Sequence, residues 1–368
     1  MNIIEYRTAD LRRILFDDCF WKRPVIPITR HRALSYINNP RADDDDVVLL
    51  VAYNNDTIAG YIGILPDYIY ADDLPQKIGW LSAWWVDPPM RPSGIGSFLL
   101  FKAIKSFNQY VAGINYNRAS GEVFQKVKHI VPVENQFRYS VVLALSSEDI
   151  SRKLSRVNKT ANILFKPPAA AYNIIQQFRY NIWLKKIHNR KSKIRIEYCD
   201  NLDVETDKFI NEYRNDLLTR RGVQEFNWIL RYPWILQAPV RDIEESYYQF
   251  LSTLGVFRYI SFKVYNNDEL IAYILLKHRD TVLDVSYIFY RPEERDSIIY
   301  ILFKFGTALR VHEIYFYDKL LCDQIKDLGM PYVRMKSTIR KVILPKKITD
   351  TMQDTWTMQG GEGESVFT

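Results

Sequence analysis

Two glycines and an arginine stand at the start of an apolar segment, in the stretch MRPSGIGSFLLFKAI that begins at Met90. Their spacing is Arg91-x-x-Gly94-x-Gly96. Glycine at a helix start costs stability relative to alanine, so these two positions suggest that something approaches the backbone closely. The first N–H groups of a helix have no internal partner and lie at the positive end of its dipole. With Arg91 beside them, such a turn suits a phosphate group.

The flanking segments predict the elements that would hold this turn in place. KIGWLSAWWVDPP, from Lys77 to Pro89, is rich in aromatic and aliphatic residues and predicts a strand that ends at Asp87. After Gly96, apolar residues at 98, 99, 101, 103, 104 and 107 have helical periodicity. The order is therefore strand, loop, helix, without the Lys-Ser/Thr of a P-loop or the third glycine of a dinucleotide fingerprint.

This order and the stretch WWVDPPMRPSGIGSFLL resemble the GNAT superfamily of acyl-CoA N-acyltransferases. The resemblance implies a strand around Trp84 that splays from its neighbour, with free amides for the pantetheine arm and the thioester carbonyl. It also implies that the loop amides bind the pyrophosphate of acetyl-CoA. The implied cofactor contacts are Trp85, Val86, Arg91, Ser93, Gly94, Ile95, Gly96 and Asn117.

The catalytic groups are less well defined than the cofactor loop. Phe124 stands where the family often has a tyrosine that protonates the leaving thiolate, so another group must donate that proton or the step does without one. The usual base position is also unfilled, because no carboxylate lies between Trp80 and Val86. We expect the base among Asp72, Asp73 and Glu122, while the remaining candidates are Glu134, His31 and His129. Ser82 could hydrogen-bond the substrate or a water molecule.

One supersecondary unit occurs twice along the chain. YNNDTIAGYIGIL at 53–65 is repeated as YNNDELIAYILLK at 265–277, and PPMRPSGIGSFLLFK from Pro88 matches PEERDSIIYILFKF from Pro292. The two copies differ in length at the stretch PDYIYADDLPQK, which we interpret as a loop. The second copy has Ile298 and Tyr300 in place of the glycines, which predicts a degenerate copy without its own cofactor site. Because the scaffold persists there, we infer that the ligand, and not the fold, requires the glycines.

The repeat predicts an α/β chain of the α+β type with two GNAT-like domains, each a mixed, mainly antiparallel central sheet flanked by helices. The predicted ranges are a GNAT domain with the acetyl-CoA loop at 1–145, a helical linker at 146–192, a degenerate GNAT-like domain at 193–346 and a tail at 347–368. The linker ends in basic residues that either form a solvated helix end or contact a phosphate-bearing partner. The tail is Gly-rich and acidic, which favours disorder. Its Trp356 and Phe367 instead suggest docking, with Glu362 or Glu364 near a cleft.

Composition limits the classes of function. With 368 residues, 47% hydrophobic residues and a net charge of +7, the chain is mildly basic, which suits anionic small molecules better than dedicated nucleic-acid binding. Three distant cysteines, no signal peptide and no apolar run long enough to span a membrane predict a cytoplasmic protein without a metal site.

We therefore expect an acetyl-CoA-dependent N-acetyltransferase whose partner is a small-molecule amine. An amino sugar, nucleotide-linked and used in surface polysaccharide synthesis, is one such acceptor. Two alternatives remain open. One is a tRNA-dependent aminoacyl transferase of tandem GNAT fold, and the other is a binding module without catalysis.

Overall fold

The computed structural model describes residues 2–71, 73–145, 161–188, 194–351 and 356–368. These residues form two compact units. The first unit comprises 1–136, 200–257 and 339–368, and the second comprises 137–199 and 258–338. The predicted domains follow one another along the chain, whereas these units interleave. Residues 200–257 and the C-terminal segment belong to the first unit, and the strand at 137–142 belongs to the second.

The first unit is built on a seven-stranded sheet in the order β1-β2-β3-β4-β5-β14-β6. Its strands are β1 (Asn2–Arg7), β2 (Val47–Asn54), β3 (Thr57–Ala71), β4 (Leu74–Val86), β5 (Val111–Ile114), β6 (Ile130–Val133) and β14 (Val342–Pro345). All neighbours are antiparallel except β4 and β5, which run parallel. Parallel neighbours need a crossover, and the helix predicted after Gly96 supplies it.

The helices of the first unit are α1 (Thr8–Ile14), α2 (Asp18–Trp21), α3 (Arg30–Ile37), α4 (Ile95–Ser106), α5 (Arg118–Phe124), α7 (Val204–Tyr213), α8 (Val223–Arg231) and α11 (Lys346–Thr349). Helix α4 packs on the sheet through Ile95, Leu99 and Ala103, which are completely buried. This apolar face fixes the position of the helix start relative to the end of β4.

The stretch PDYIYADDLPQK is not a loop. Strand β3 continues to Ala71 and β4 begins at Leu74, and the two strands pair from Asp67–Ile78 to Ala71–Leu74. The extra length in the first copy therefore extends a hairpin. Burial alternates along this extension, as expected for a strand with one face towards the core. Ile69 is buried, while Tyr68 and Tyr70 are partly exposed.

The second unit has its own seven-stranded sheet, in the order β13-β7-β12-β11-β10-β9-β8. Its strands are β7 (Phe137–Val142), β8 (Ile194–Tyr198), β9 (Phe257–Asn266), β10 (Glu269–Arg279), β11 (Val282–Tyr290), β12 (Glu313–Phe316) and β13 (Arg334–Ile339), and its helices are α6 (Ala161–His188), α9 (Arg295–Ala308) and α10 (Lys319–Asp327). The strand order around the parallel pair β11–β12 repeats that around β4–β5. Two mixed, mainly antiparallel sheets flanked by helices confirm the predicted fold class.

The helical linker expected at 146–192 is seen in part as α6, and its first residues lie outside the described ranges. The C-terminal tail is packed rather than disordered over 356–368, where Glu362, Val366 and Phe367 are fully buried. No helix in the described part of the chain is long and apolar enough to cross a membrane.

Candidate active site

Strand β4 opens away from β5 part-way along its length. Only Gly79 and Trp80 pair with β5, opposite Val111 and Ala112, although β4 continues to Val86. Beyond this point β5 pairs with β14 on its other side. The last residues of β4 therefore have backbone groups directed towards the gap between the two parallel strands.

A β-bulge lies in the open part of β4. Tyr61 of β3 faces Trp85 and Gly63 faces Ser82, so two residues of β4 stand opposite one residue of β3. Ala83 has φ +48°, in the left-handed region that non-glycine residues rarely occupy. Bulges of this kind end ladder pairing and redirect side chains beside functional sites. The splayed end of β4 is thus shaped by the backbone itself.

The start of α4 lies directly after this strand end. A 3₁₀ turn at Pro88–Ser93 leads to Gly94, which has φ +80° and is the N-cap of α4 without any side-chain hydrogen bond to the helix. A Cβ built on Gly94 would meet no atom within 4 Å. The uncapped helix start therefore faces open space, which fits an anionic group of a ligand.

The inference that only the ligand needs the two glycines is wrong. The φ of Gly94 favours glycine for conformational reasons. A Cβ on Gly96 would lie 3.3 Å from Val86 Cγ2 and 3.4 Å from Trp84 Cζ2, so this glycine also lets β4 side chains pack against the helix. The indole Nε1 of Trp84 is buried here without a hydrogen-bond partner.

The matching helix of the second unit begins differently. Helix α9 starts at Arg295, the counterpart of Arg91, so the residues that replace the glycines lie inside the helix, where Ile298 and Tyr300 are buried. Glu294 precedes the helix and accepts hydrogen bonds from Ser297 Oγ at 2.5 Å and from Asn266 Nδ2 at 2.8 Å. Glu294 is thus an acidic N-cap of α9, and although its side chain makes no cap hydrogen bond to the helix backbone, its negative charge disfavours an anion at this helix start.

The predicted cofactor residues mostly gather at the end of β4. Trp85, Val86 and the loop residues from Arg91 to Gly96 form one continuous segment there, and Arg91 is exposed. Asn117 follows β5 and lies at the same edge of the sheet, because the carboxyl ends of parallel strands coincide. Its Oδ1 accepts a hydrogen bond from Ser120 N at 2.9 Å and caps α5. Phe124 is buried against Trp84 and Tyr116 in the apolar core.

A buried arginine organises the region on the other side of β4. Arg32 of α3 donates to Tyr36 Oη at 2.8 and 3.1 Å, to Tyr248 Oη at 2.8 Å and to Ser82 Oγ. Its guanidinium lies 3.9 Å from the ring centre of Trp234. A Cβ on Gly63 would come within 3.2 Å of Arg32 Nη2, so the glycine opposite Ser82 makes room for this cation.

A cavity of about 270 Å³ lies beside this cluster and reaches Ala83 of the bulge. Its polar lining includes Arg32, Thr29, Glu245 and Glu364, and its apolar lining includes Phe250. Most of the wall comes from residues 234–254 and from the C-terminal segment. From the sequence repeat, residues 234–254 were predicted to belong to the second domain. Their place in the wall of this cavity was therefore not predicted.

Two carboxyl groups of the cavity have raised pKa values. Burial raises the pKa of Glu364 to about 7, although Arg32 Nη2 lies 3.7 Å from its Oε2 and lowers it. Burial also raises the pKa of Glu245 to about 7, with a contribution from the charge of Asp242. Glu245 Oε1 is 3.7 Å from His31 Nε2. Carboxyls with such pKa values can exchange protons near neutral pH.

The tail that carries Glu364 is fixed by aromatic stacking and by buried arginines. Phe367 stacks on Trp234 with ring centres 4.5 Å apart and an angle of 6°. Arg221 donates to the carbonyls of Gly361 and Gly363 at 3.0 and 2.9 Å and to Asp67 Oδ2 at 2.6 Å. The tail is thus tied to Asp67 of β3, and its expected docking through Phe367 is confirmed.

Of the predicted catalytic residues, Asp73 and Glu122 do not line this cavity. Asp72 lies outside the described residues. Asp73 lies at the opposite end of β4 from the bulge, roughly 30 Å along the strand at 3.3 Å per residue, and pairs with Arg220. Glu122 is 60% exposed and pairs with Arg118. Among the other candidate bases, His31 is half-buried beside Glu245.

Comparisons with known proteins agree with this geometry. The family model described as the acetyltransferase (GNAT) family matches residues 9–127. Residues 9–127 are a GNAT acetyltransferase domain. This domain includes β4, its bulge and the loop before α4. No curated protein matches the sequence.

Solved structures resemble the chain at low sequence identity. A probable N-acyltransferase from Enterococcus faecalis V583 has a TM-score of 0.51 and 7% identity over 94% of this chain and 73% of its own. GCN5-related N-acetyltransferases from Kribbella flavida and Anabaena variabilis have TM-scores of 0.45 and 0.42 and identities of 8% and 11%. The Kribbella match covers 93% of this chain and 71% of the Kribbella chain. The Anabaena match covers 81% of this chain and 62% of the Anabaena chain. The Enterococcus match indicates that the fold of that structure extends over both units.

Proposed function

We propose that the chain is an N-acetyltransferase that moves an acetyl group from acetyl-CoA to a small amine. One observation carries the proposal. The bulged, splayed end of β4 lies between an uncapped helix start suited to pyrophosphate and a cavity that holds two carboxyls. In this proposal, the element that binds the donor and the element that binds the acceptor lie on the same strand of the GNAT domain.

The donor would be held by the residues that follow the bulge. The N–H groups at the start of α4 and the guanidinium of Arg91 would bind the pyrophosphate, and free amides of β4 would bind the pantetheine arm. Acetyl-CoA supplies the activated acyl group as a thioester. The residues fit it, since Gly94 leaves open space before the helix and Trp84 Nε1 is a buried donor without a partner nearby.

The acceptor would enter the cavity as an ammonium ion. Glu245 and Glu364 provide negative charge for it, and the apolar wall around Phe250 accommodates its carbon skeleton. An amino sugar has both features, a primary amine and a ring with apolar faces, and is the acceptor class we favour.

Glu364 would be the general base. An ammonium ion must lose a proton before its nitrogen can attack, and a carboxylate with a pKa of about 7 is suited to take it at neutral pH. Arg32 connects Glu364 to Ser82, the residue just before Ala83, and so holds the carboxyl on the bulge side of the cavity. Glu245 would bind the amine by charge.

Replacing Arg91 is expected to weaken acetyl-CoA binding about ten- to a hundredfold, because a charge-assisted hydrogen bond contributes roughly 1.5–3 kcal/mol. Isothermal titration calorimetry of Arg91→Ala against wild type measures the change. Lys105→Ala is the matched control, since Lys105 is an exposed cation in the last turn of the same helix. Equal affinities for wild type and Arg91→Ala would contradict the assignment of the loop.

The same titration tests the alternatives. We expect one acetyl-CoA per chain, because the second unit places Glu294 at the start of α9. No binding would favour the aminoacyl transferase, and binding without turnover on a panel of amines, including amino sugars and their nucleotide-linked forms, would favour a binding module. A stoichiometry of two would contradict the degenerate second copy.

A further inference from the structure

The positive charge of the chain is concentrated in one segment. Residues 150–196 contain twelve Lys or Arg and no Asp or Glu. The other 38 Lys and Arg are outnumbered by the 43 Asp and Glu of the chain, so the remainder carries a net negative charge. Helix α6 lies inside this basic segment, and neither the donor loop nor the cavity uses it.

One face of α6 is anchored in the core of the second unit. Tyr180 Oη donates to the carbonyl of Leu143 at 2.8 Å. Trp183 lies edge-on to Phe303 with ring centres 6.3 Å apart, and its Nε1 donates to the carbonyl of Leu328 at 3.4 Å. These contacts fix the rotation of the helix about its axis, so its other face has a defined direction.

That other face presents large apolar side chains to solvent. Ile174, Phe178 and Ile182 are spaced four residues apart and are 71%, 66% and 53% exposed, and Ile175 beside them is 59% exposed. Residues at this spacing share one side of a helix. Lys185 and Lys186, both exposed, follow on the same side. We call these six residues with Arg179 between them the basic-apolar face, although Arg179 also hydrogen-bonds to Gln176.

We propose that the basic-apolar face binds the surface of an anionic lipid membrane, with α6 lying in the plane of the interface. A helix with an apolar stripe bordered by lysine and arginine is the pattern of interfacial helices, which bury the stripe among acyl chains and place the cations at the headgroups. Charge complementarity selects anionic lipid, since this segment has no acidic residue to oppose it.

The exposed isoleucines and phenylalanine distinguish a membrane from a nucleic acid. Phosphate contacts would use Lys185 and Lys186 but would leave Ile174 and Ile182 in water. Insertion into the acyl boundary removes those aliphatic side chains from water, and each transfer is favourable. A membrane therefore provides partners for both the apolar residues and the cations of the face. RNA provides partners for the cations only.

Vesicle flotation with the full-length chain tests this proposal. Vesicles of phosphatidylcholine alone are compared with vesicles containing equal parts of phosphatidylcholine and phosphatidylglycerol, at a fixed moderate salt concentration. Wild type is expected to float with the mixed vesicles. Its partition coefficient for vesicles of phosphatidylcholine alone is expected to be lower by a factor of about ten or more. Failure to float with the mixed vesicles would overturn the proposal.

Substitutions separate the two halves of the face. Phe178→Asn with Ile182→Asn is expected to lower partitioning about tenfold or more, and Lys185→Gln with Lys186→Gln by a similar factor. Leu320→Asn is the matched control, because Leu320 is an equally exposed apolar residue on α10 of the same unit, at 57%. Equal partitioning of wild type and the Phe178/Ile182 variant would contradict the proposal.

A second readout keeps the test independent of folding. Phe178→Cys, in a chain where the exposed Cys19 is replaced by Ser, carries an environment-sensitive dye whose fluorescence should rise on adding mixed vesicles. Two results would instead assign the face to another partner. Retention of total tRNA that depends on the lysines but not on Phe178, without flotation, would indicate RNA, and a dimer in light scattering that the Phe178/Ile182 variant dissociates would indicate a second copy.

Discussion

Glu364→Gln is expected to lower kcat roughly a hundred- to ten-thousandfold while leaving the affinity for acetyl-CoA unchanged. The reason is that the amide cannot accept the proton of the ammonium, and a positioned general base contributes a rate factor of about this size. Glutamine has nearly the shape of glutamate, so the cavity and the contact with Arg32 should persist. Steady-state kinetics on the best amine of the panel, together with calorimetry of the donor, provide the two measurements.

The pH profile gives the same prediction a second test. Glu364 has a pKa of about 7 and must be deprotonated to act, so kcat/KM of wild type should fall as the pH decreases below about 7. Glu245 also has a pKa of about 7 and binds the ammonium only when it is deprotonated, so kcat/KM of Glu364→Gln should keep a shallower fall, whereas its residual kcat should lack the step. Glu245→Gln should keep it while raising KM for the amine, because Glu245 is proposed to bind the substrate and not to take its proton.

Glu122→Gln and Asp73→Asn are the matched controls. Both carboxyls are exposed, both pair with an arginine, and neither lines the cavity. Wild-type kcat is expected for both variants. A large loss in Glu122→Gln together with normal activity in Glu364→Gln would transfer the role of base to α5 and remove the cavity from the mechanism.

Asp67→Asn is expected to destabilise the protein by about 3–5 kcal/mol, since it removes the carboxylate that two buried arginines share, although Arg41 keeps its second carboxylate partner, Glu225. Asp67 is 1% exposed and pairs with Arg41 at 2.7 Å and with Arg221 at 2.6 Å, and its Oδ2 also accepts from Trp80 Nε1. The strong positive potential around this carboxyl holds its pKa below the usual range. Urea unfolding followed by tryptophan fluorescence measures the loss.

The Asp67 variant should also lose activity at temperatures where it is still folded, because Arg221 joins Asp67 to the tail that carries Glu364. Asp73→Asn serves as the control, since this aspartate of the same hairpin has an 85% exposed side chain. Its stability should stay within about 0.5 kcal/mol of wild type. A Phe367→Leu variant with normal stability but low kcat would support the link between tail position and catalysis, whereas full activity in Asp67→Asn would break it.

Local patterns predicted the strand and the helix on either side of the proposed donor loop. A hydrophobic strand, a Pro-rich break, two glycines and a periodic helix are neighbours in sequence, so their relation in space follows from chain connectivity. No sequence pattern indicated the bulge at Ala83. The left-handed backbone conformation of this alanine arises from the pairing of β3 with β4 and not from a preference of alanine itself.

The cavity beside β4 could be predicted only in outline. Arg32, Glu245 and Glu364 are separated by more than a hundred residues at each step and meet through the packing of three chain segments. The one usable signal was the unusual presence of Phe367 in a polar tail, which indicated docking but not its place. The repeat led us to place residues 200–257 in the second domain, although they belong to the first unit. The amino-acid composition does not show that the two units interleave along the chain.

The interleaving of the units has a consequence for how the protein is made. Strand β14, which lies between β5 and β6, and the segment with Glu364 both belong to 339–368, so the ribosome makes them after the whole second unit. At 5–20 residues per second, the first 136 residues wait on the order of tens of seconds with an unfilled slot in their sheet. During translation the second unit has all of its strands first, and the enzyme site is assembled last. A nascent chain that stalls late would therefore expose open strand edges of the first sheet, which makes it a natural client for chaperones and leaves it without activity.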